Sequence, residues 1–167
     1  INLSGRKFHA KRNHISKFKN CYPDYRFEEI TNSNKEDAYK VMLDWCAENE
    51  IDIEHYEEKN AIREALDNIE EFKMYGGIVY VKDKAVAMTL GCEISPIAFD
   101  ICFEKALREY DGIYAVINNE FAKTLSSYKY INREEDMGIE GLKKSKLSYN
   151  PIILIARYNA TLKNDGN

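Results

Sequence analysis

Gly76-Gly-Ile-Val-Tyr-Val-Lys-Asp-Lys-Ala-Val-Ala-Met-Thr-Leu90 is the stretch on which the fold turns. Two β-rich runs, Ile78–Val81 and Ala85–Leu90, flank the polar segment Lys82-Asp-Lys84, and that spacing predicts a hairpin. Ser95-Pro96 then interrupts the chain. Beyond it Phe99, Ile101 and Phe103 alternate with Asp100, Cys102 and Glu104, the pattern of a half-polar strand. Asp111-Gly112 opens a helix, with Asp111 as N-cap and Ile113, Ile117, Phe121 and Leu125 on one face. Tyr128–Asn132 reads as a strand, Ile139–Leu147 as a helix and Ile152–Tyr158 as a final strand. The order is therefore β-β-β-α-β-α-β. Its middle strands, Phe99–Phe103 and Tyr128–Asn132, are expected to splay apart at one end.

Upstream, Tyr25–Ile30 reads as a short strand with Phe27 facing inward. Ser33-Asn-Lys-Glu36 has the form of a capping box, and Ala38, Val41, Met42 and Trp45 follow at helical spacing. A second helix is expected over about Glu57–Met74, with Ile62, Leu66, Ile69 and Phe72 inward and Gly76-Gly77 as its stop. The whole chain has 167 residues, 44% hydrophobic and 31% charged, with 8 Gly and 3 Pro. That length suits one domain with a real core, and the composition excludes a disordered or low-complexity chain.

No apolar run approaches the roughly 18–20 residues of a membrane span. Cys21, Cys46, Cys92 and Cys102 form no CxxC pair and follow no secretion signal, which points to reduced thiols in the cytoplasm. His9, His14 and His55 stand apart from any ligand cluster, so no metal site is expected. The net charge of −4 hides a segregation. Arg6–Lys19 carries six bases and no acid, whereas Asp24–Tyr75 has 16 acids against 6 bases. The basic arm suits either packing on acidic neighbours or contact with RNA. The chain opens with Ile1 rather than Met, the pattern of a piece of something longer.

An antiparallel start followed by β-α-β, with a helix N-terminus at Gly112, is the order of the GNAT acyltransferase fold. That is an α/β (α+β) class, a mixed central sheet flanked by helices. Three segments carry a closer resemblance: Leu3-Ser-Gly-Arg-Lys-Phe-His-Ala-Lys-Arg-Asn-His-Ile-Ser-Lys-Phe18, Phe103-Glu-Lys-Ala-Leu-Arg-Glu-Tyr-Asp-Gly112 and Tyr130-Ile-Asn-Arg-Glu-Glu-Asp-Met-Gly-Ile-Glu-Gly-Leu-Lys-Lys-Ser-Lys-Leu-Ser-Tyr-Asn-Pro151. Together they resemble the phosphatidylglycerol lysyltransferase C-terminal-domain family, a GNAT-like branch similar also to the Fem aminoacyltransferases. The resemblance covers essentially the whole chain. It implies two GNAT-like halves joined by a basic segment. Residues 1–22 are then an inter-domain connector, 23–163 the second half and 164–167 a tail, with a preceding GNAT-like domain of the same protein as partner.

The resemblance further implies transfer of an acyl or aminoacyl group from an anionic carrier, aminoacyl-tRNA or acyl-CoA, to an amine or hydroxyl acceptor. It makes tRNA a partner and calls for no metal. Its named relatives act on a membrane lipid beside a multi-span domain that this sequence lacks, so a lipid partner is not expected. A non-catalytic GNAT-like module that binds RNA or protein is the other reading.

In such a fold the donor's phosphates rest on the helix N-terminus after a central strand, where free amides and the helix dipole attract anions. That place is Arg108-Glu-Tyr-Asp-Gly-Ile-Tyr-Ala115, with Arg108 and Gly112 as donor-binding candidates. It holds one glycine and an added acid, so an ordinary capped helix is the alternative. Asn132-Arg-Glu-Glu-Asp136 is the most unusual polar cluster, at the end of a predicted central strand. Asn132 and Arg133 are binding candidates, and Glu134 or Glu104 would accept a proton from the attacking group. Alternation puts Glu104 on the face of Asp100. Arg133 paired with Glu104 or Glu134 as a structural network is the competing reading. Lys143 and Lys144, with Lys146, would hold a tRNA or substrate phosphate, or form a solvated helix face.

Overall fold

A computed structural model describes residues 3–156, 158, 160 and 161, which fall into two units, 1–135 and 136–167. In the first, a turn of 3-10 helix at Arg6–Phe8 leads into α1 (His9–Cys21), β1 (Arg26–Glu29), α2 (Lys35–Glu48) and α3 (Glu58–Asp67). Then come β2 (Met74–Val81), β3 (Lys84–Ser95), β4 (Ala98–Ala106), α4 (Ile113–Thr124) and β5 (Tyr130–Asn132). The strands form one sheet in the order β1-β2-β3-β4-β5, antiparallel except for the parallel β4–β5 pair. The predicted hairpin is β2–β3, with Val81 opposite Lys84.

Three helix boundaries differ from expectation, the first being α4, where Gly112 and not Asp111 stands at the cap. The Ser33/Glu36 capping box does not form. Asn34 stands at the cap and its Oδ1 accepts from the Thr31 amide at 2.7 Å, while Glu36 is drawn to Arg63. The next helix ends at Asp67, and Gly76 and Gly77 lie inside β2 instead of stopping it. Gly77 is required there for space, since a Cβ would sit 2.3 Å from the Phe27 ring.

Both faces of the sheet are covered. α2 and α3 bury Val41, Met42, Ile62 and Leu66 against Ile78, Met88 and Leu90. On the other face α1 and α4 bury Phe18, Ile113, Val116 and Ile117 against Val79, Ala87 and Ala106. Phe121 and Leu125 continue that layer over Phe99 and Ile101. Phe18 is 0% exposed, so the segment expected as an inter-domain connector, residues 1–22, places one side chain in the core. One deep anchor, flanked by Ile15 and Tyr22, docks a helix whose apolar stripe is narrow. Ion pairs from Lys17 to Asp111 at 2.6 Å and Lys19 to Glu120 at 2.9 Å hold its sides.

The register of β4 sets which way its polar side chains point. Asp100 pairs with Cys92, Ile101 with Gly91 and Phe103 with Leu90, so Cys102 is an extra residue in a β-bulge. Before the bulge Phe99 and Ile101 face α4; after it Phe103 packs on the α2–α3 core and Ala106 faces α1 and α4. The alternation slips by one, and Glu104 leaves the face of Asp100.

β5 pairs only with Ala98–Asp100, which leaves the edge of β4 from Ile101 to Ala106 without a strand partner among the described residues. This is the expected splay, although β5 is here an edge strand and not a middle one. Within the second unit, which holds α5 (Glu140–Leu147), Ile152–Ala156 form no strand, and Ile152, Ile153, Leu154 and Ile155 are exposed. Arg157, within the predicted last strand, lies outside the described residues. An apolar run becomes a strand only where a neighbouring edge supplies the ladder hydrogen bonds.

The surface ion pairs set an acid limit. Arg63 holds Asp67 well below the usual carboxylate range and lowers Glu36, and Lys17 lowers Asp111. Burial pushes Glu120 up, but hydrogen bonds from Lys123, Lys19 and Tyr25 more than offset it. Folded-state values below the unfolded ones mean stability that is complete above about pH 4.5 and is lost as the pH falls through the folded values. Denaturant melts between pH 7 and 3 are expected to show this loss, flattened by high salt and by Asp67→Asn. A loss unchanged in the variant would assign it to other groups.

Candidate active site

At the open end of the β4–β5 pair, Arg133 Nη2 donates to Glu104 Oε1 at 2.7 Å, with the Glu104 side chain 11% exposed and that of Arg133 22%. The buried Asn118 of α4 turns its Nδ2 toward Glu104 Oε2 at 3.4 Å. Thr89 lies opposite Glu104 on β3, and its buried Oγ1 has no hydrogen-bond partner among the described residues. Lys11 of α1 completes the group. Burial, then the nearby Arg133, pushes its ammonium below the ordinary value, with Glu104 pulling the other way. Two cations thus surround one carboxylate in a half-dry recess between α1, α4 and the sheet. The guanidinium is a planar fork suited to an anion, and the carboxylate beside it is a group that can accept a proton.

Asn132 and Arg133 part company as strand alternation requires. Asn132 Nδ2 donates to Asp100 Oδ1 at 2.7 Å on the α2–α3 face, away from Glu104. The bulge at Cys102 is what separates Asp100 from Glu104, so the expectation of a shared face is corrected. Glu134 is exposed at φ 54° and acts electrostatically on Cys102, whereas Glu104 accepts directly from Arg133. Lys143 and Lys144 are exposed on α5, in the other unit.

Glu104 and Lys105 both point inward, because both faces of the sheet are covered. Lys105 Nζ pairs with Glu58 Oε2 at 2.7 Å and lies 4.4 Å from the Trp45 ring centre and 5.6 Å from that of Tyr56. The Tyr56 hydroxyl also donates to Glu58, and burial followed by that carboxylate pushes the phenol far up. Trp45 Nε1 donates to the Tyr114 hydroxyl at 3.0 Å, which also accepts from the Ala106 amide on the open edge of β4. The spacing of Trp45, Tyr56 and Glu58 ahead of a distant β4 gave no sign of this box.

The sequence profile of the family described as "Phosphatidylglycerol lysyltransferase, C-terminal" matches residues 1–161. The chain belongs to this family. A conserved protein of unknown function from Bacteroides thetaiotaomicron VPI-5482 superposes with a TM-score of 0.86 and 44% identity, over 92% of this chain and 53% of that one. An uncharacterized protein of Mycoplasmoides gallisepticum is 24% identical over 160 residues, covering 95% of this chain and 52% of its own. The chain spans about half the length of these two relatives. A possible acetyltransferase from Clostridium difficile 630, at 17% identity, superposes with a TM-score of 0.59 over 86% of this chain and 99% of its own. The lysyltransferase-family domain therefore has the GNAT-like fold.

That fold raises the matter of acyl-CoA, and the residues present do not fit its phosphates. Both carboxylate oxygens of Glu48 accept from the loop after β4, from the Arg108 amide at 2.9 Å and the Glu109 amide at 3.2 Å. Gly112, at φ 88°, lies under α1, so close that a Cβ there would sit 2.5 Å from the His14 carbonyl oxygen. The Ile113 amide is bonded to Tyr110 O at 3.0 Å, and Asp111 is engaged by Lys17. The domain's own groups take the Arg108, Glu109 and Ile113 amides, so the loop lacks these donors for a carrier phosphate, and α4 begins at Gly112 without a side-chain cap. Arg108 acts electrostatically on Tyr114, as Glu104 does.

Proposed function

We propose that this lysyltransferase-family domain moves an acyl or aminoacyl group from an anionic carrier to an amine or hydroxyl. The Arg133–Glu104 pair at the open end of β4–β5 carries the reading. Glu104 takes the proton from the attacking group, and Arg133 with Lys11 holds the anionic part of the carrier. As Glu104 is neutralised its attraction to Arg133 falls, which leaves the guanidinium to stabilise the developing oxyanion. Aminoacyl-tRNA suits the site better than acyl-CoA, because the loop amides are taken and α1 continues the positive charge from Lys11 toward the exposed Lys7 and Arg6. Such a donor implies a reaction in the cytoplasm. A GNAT-like domain preceding this one is the proposed covalent neighbour.

The test offers the purified protein charged tRNA or an acyl-CoA, with amines and alcohols as acceptors. Charged tRNA is expected to bind with a steep salt dependence and to lose its aminoacyl group to an acceptor. CoA at ~1 mM is expected to leave the melting temperature unmoved. A clear thermal shift with CoA would overturn the tRNA reading. Binding of tRNA without transfer to any acceptor would select a non-catalytic RNA-binding module, the reading that Glu48's hold on the loop favours.

A further inference from the structure

We infer that Cys92 and Cys102 form a reversible dithiol site, which a hydroperoxide closes into an intramolecular disulfide across β3 and β4. The register brings them together. Asp100 is the direct partner of Cys92, and Cys102 stands diagonally across on the same face, as the unopposed residue of the bulge. The strands approach tightly here, since a Cβ on Gly91 would sit 2.0 Å from Asp100 O. The two thiols are within hydrogen-bonding contact of each other, and Cys102 Sγ also lies 4.0 Å from Asp100 O. Both residues are partly exposed, unlike the buried Cys46. An oxidant reaches them.

The chemistry divides between the two sulfurs. Burial, then the neighbouring Cys92, raises the Cys102 thiol well above its ordinary value, so Cys102 keeps its proton and Cys92 meets the oxidant. Attack by Cys92 sulfur breaks the O–O bond of a hydroperoxide. One oxygen leaves as alcohol or water and the other remains on sulfur as a sulfenic acid. Cys102 sulfur then displaces that oxygen, which departs as water with the Cys102 proton. Two electrons pass from two thiols to one peroxide, and a dithiol reductant reverses the bond. The bridge pins the bulge that decides which face Glu104 occupies.

The experiment treats the folded chain with a few equivalents of hydrogen peroxide and maps the peptides by mass spectrometry. The expected product is 2 Da lighter, joins the Cys92 and Cys102 peptides, leaves two of four thiols titratable, and reverts with dithiothreitol. In Cys102→Ser, Cys92 is expected to pass on to sulfinic acid instead, and in Cys92→Ser the Cys102 thiol should survive. If wild-type Cys92 gains oxygen while Cys102 stays reduced, the site is not a dithiol couple. Consumption of the exposed Cys21 alone, with both strand thiols still titratable, would overturn the inference equally.

Discussion

Glu104→Gln is expected to lower aminoacyl transfer by ~10²- to 10⁴-fold, the range for removing a positioned proton acceptor. The amide keeps an oxygen for Arg133 Nη2 and the shape of the side chain, so the recess between α1 and α4 stays filled. What disappears is the ability to take a proton. Binding of charged tRNA should change little, because Arg133, Lys11 and the rest of α1 remain. Arg133→Lys is the complement: it keeps a charge but loses the planar fork, and should weaken donor binding by about 1–3 kcal/mol. Transfer rates and anisotropy titrations separate the two effects. A Glu104→Gln protein that transfers at the wild-type rate but melts several degrees lower would show a structural ion pair, and the catalytic reading would fall.

Phe18→Ala is expected to destabilise the domain by about 3–5 kcal/mol, the cost of emptying a buried aromatic site. Phe18 is fully buried among Val79, Ala87, Ala106 and Ile113, and its ring packs 4.9 Å from that of Tyr22 and 5.5 Å from that of Tyr25. By the usual proportion this lowers the melting temperature by about 10 °C or more. The mutation also loosens α1 over Gly112 and away from Lys11's position beside Arg133, so donor binding should weaken with it. Lys17→Ala removes only a solvated ion pair to Asp111 and should be close to neutral. Urea titrations of both variants decide the matter. A loss below about 1 kcal/mol for Phe18→Ala would return α1 to the role of a loosely held connector.

Local patterning was enough to set the order β-β-β-α-β-α from β2 onward, the β2–β3 hairpin and the opening between β4 and β5. Period-2 and period-3.6 patterns are properties of short segments, and so is the punctuation at Lys82-Asp83, Ser95-Pro96 and Asp111-Gly112. The chain also supplied Glu104 and Arg133 as candidates, with their pairing as an open alternative. Elements of more than local origin escaped it. α1 has too narrow a stripe to announce itself, and only the hollow beneath α4 makes Phe18 a core residue. Ile152–Ala156 has strand composition, but no strand pairs with it within its own unit.

The geometry of the site hinges on one residue. Strict alternation assigns Glu104 to the face of Asp100, and the bulge at Cys102 turns it to the other. A bulge depends on how two strands meet, through Gly91 and the packing of Phe103 beneath α2 and α3, and a single strand's sequence carries no such partner information. The same holds for Glu48, whose carboxylate fills the loop at Arg108 from 60 residues away. Side-chain type and spacing were legible in the chain; which groups face one another was fixed only when long-range packing set the register.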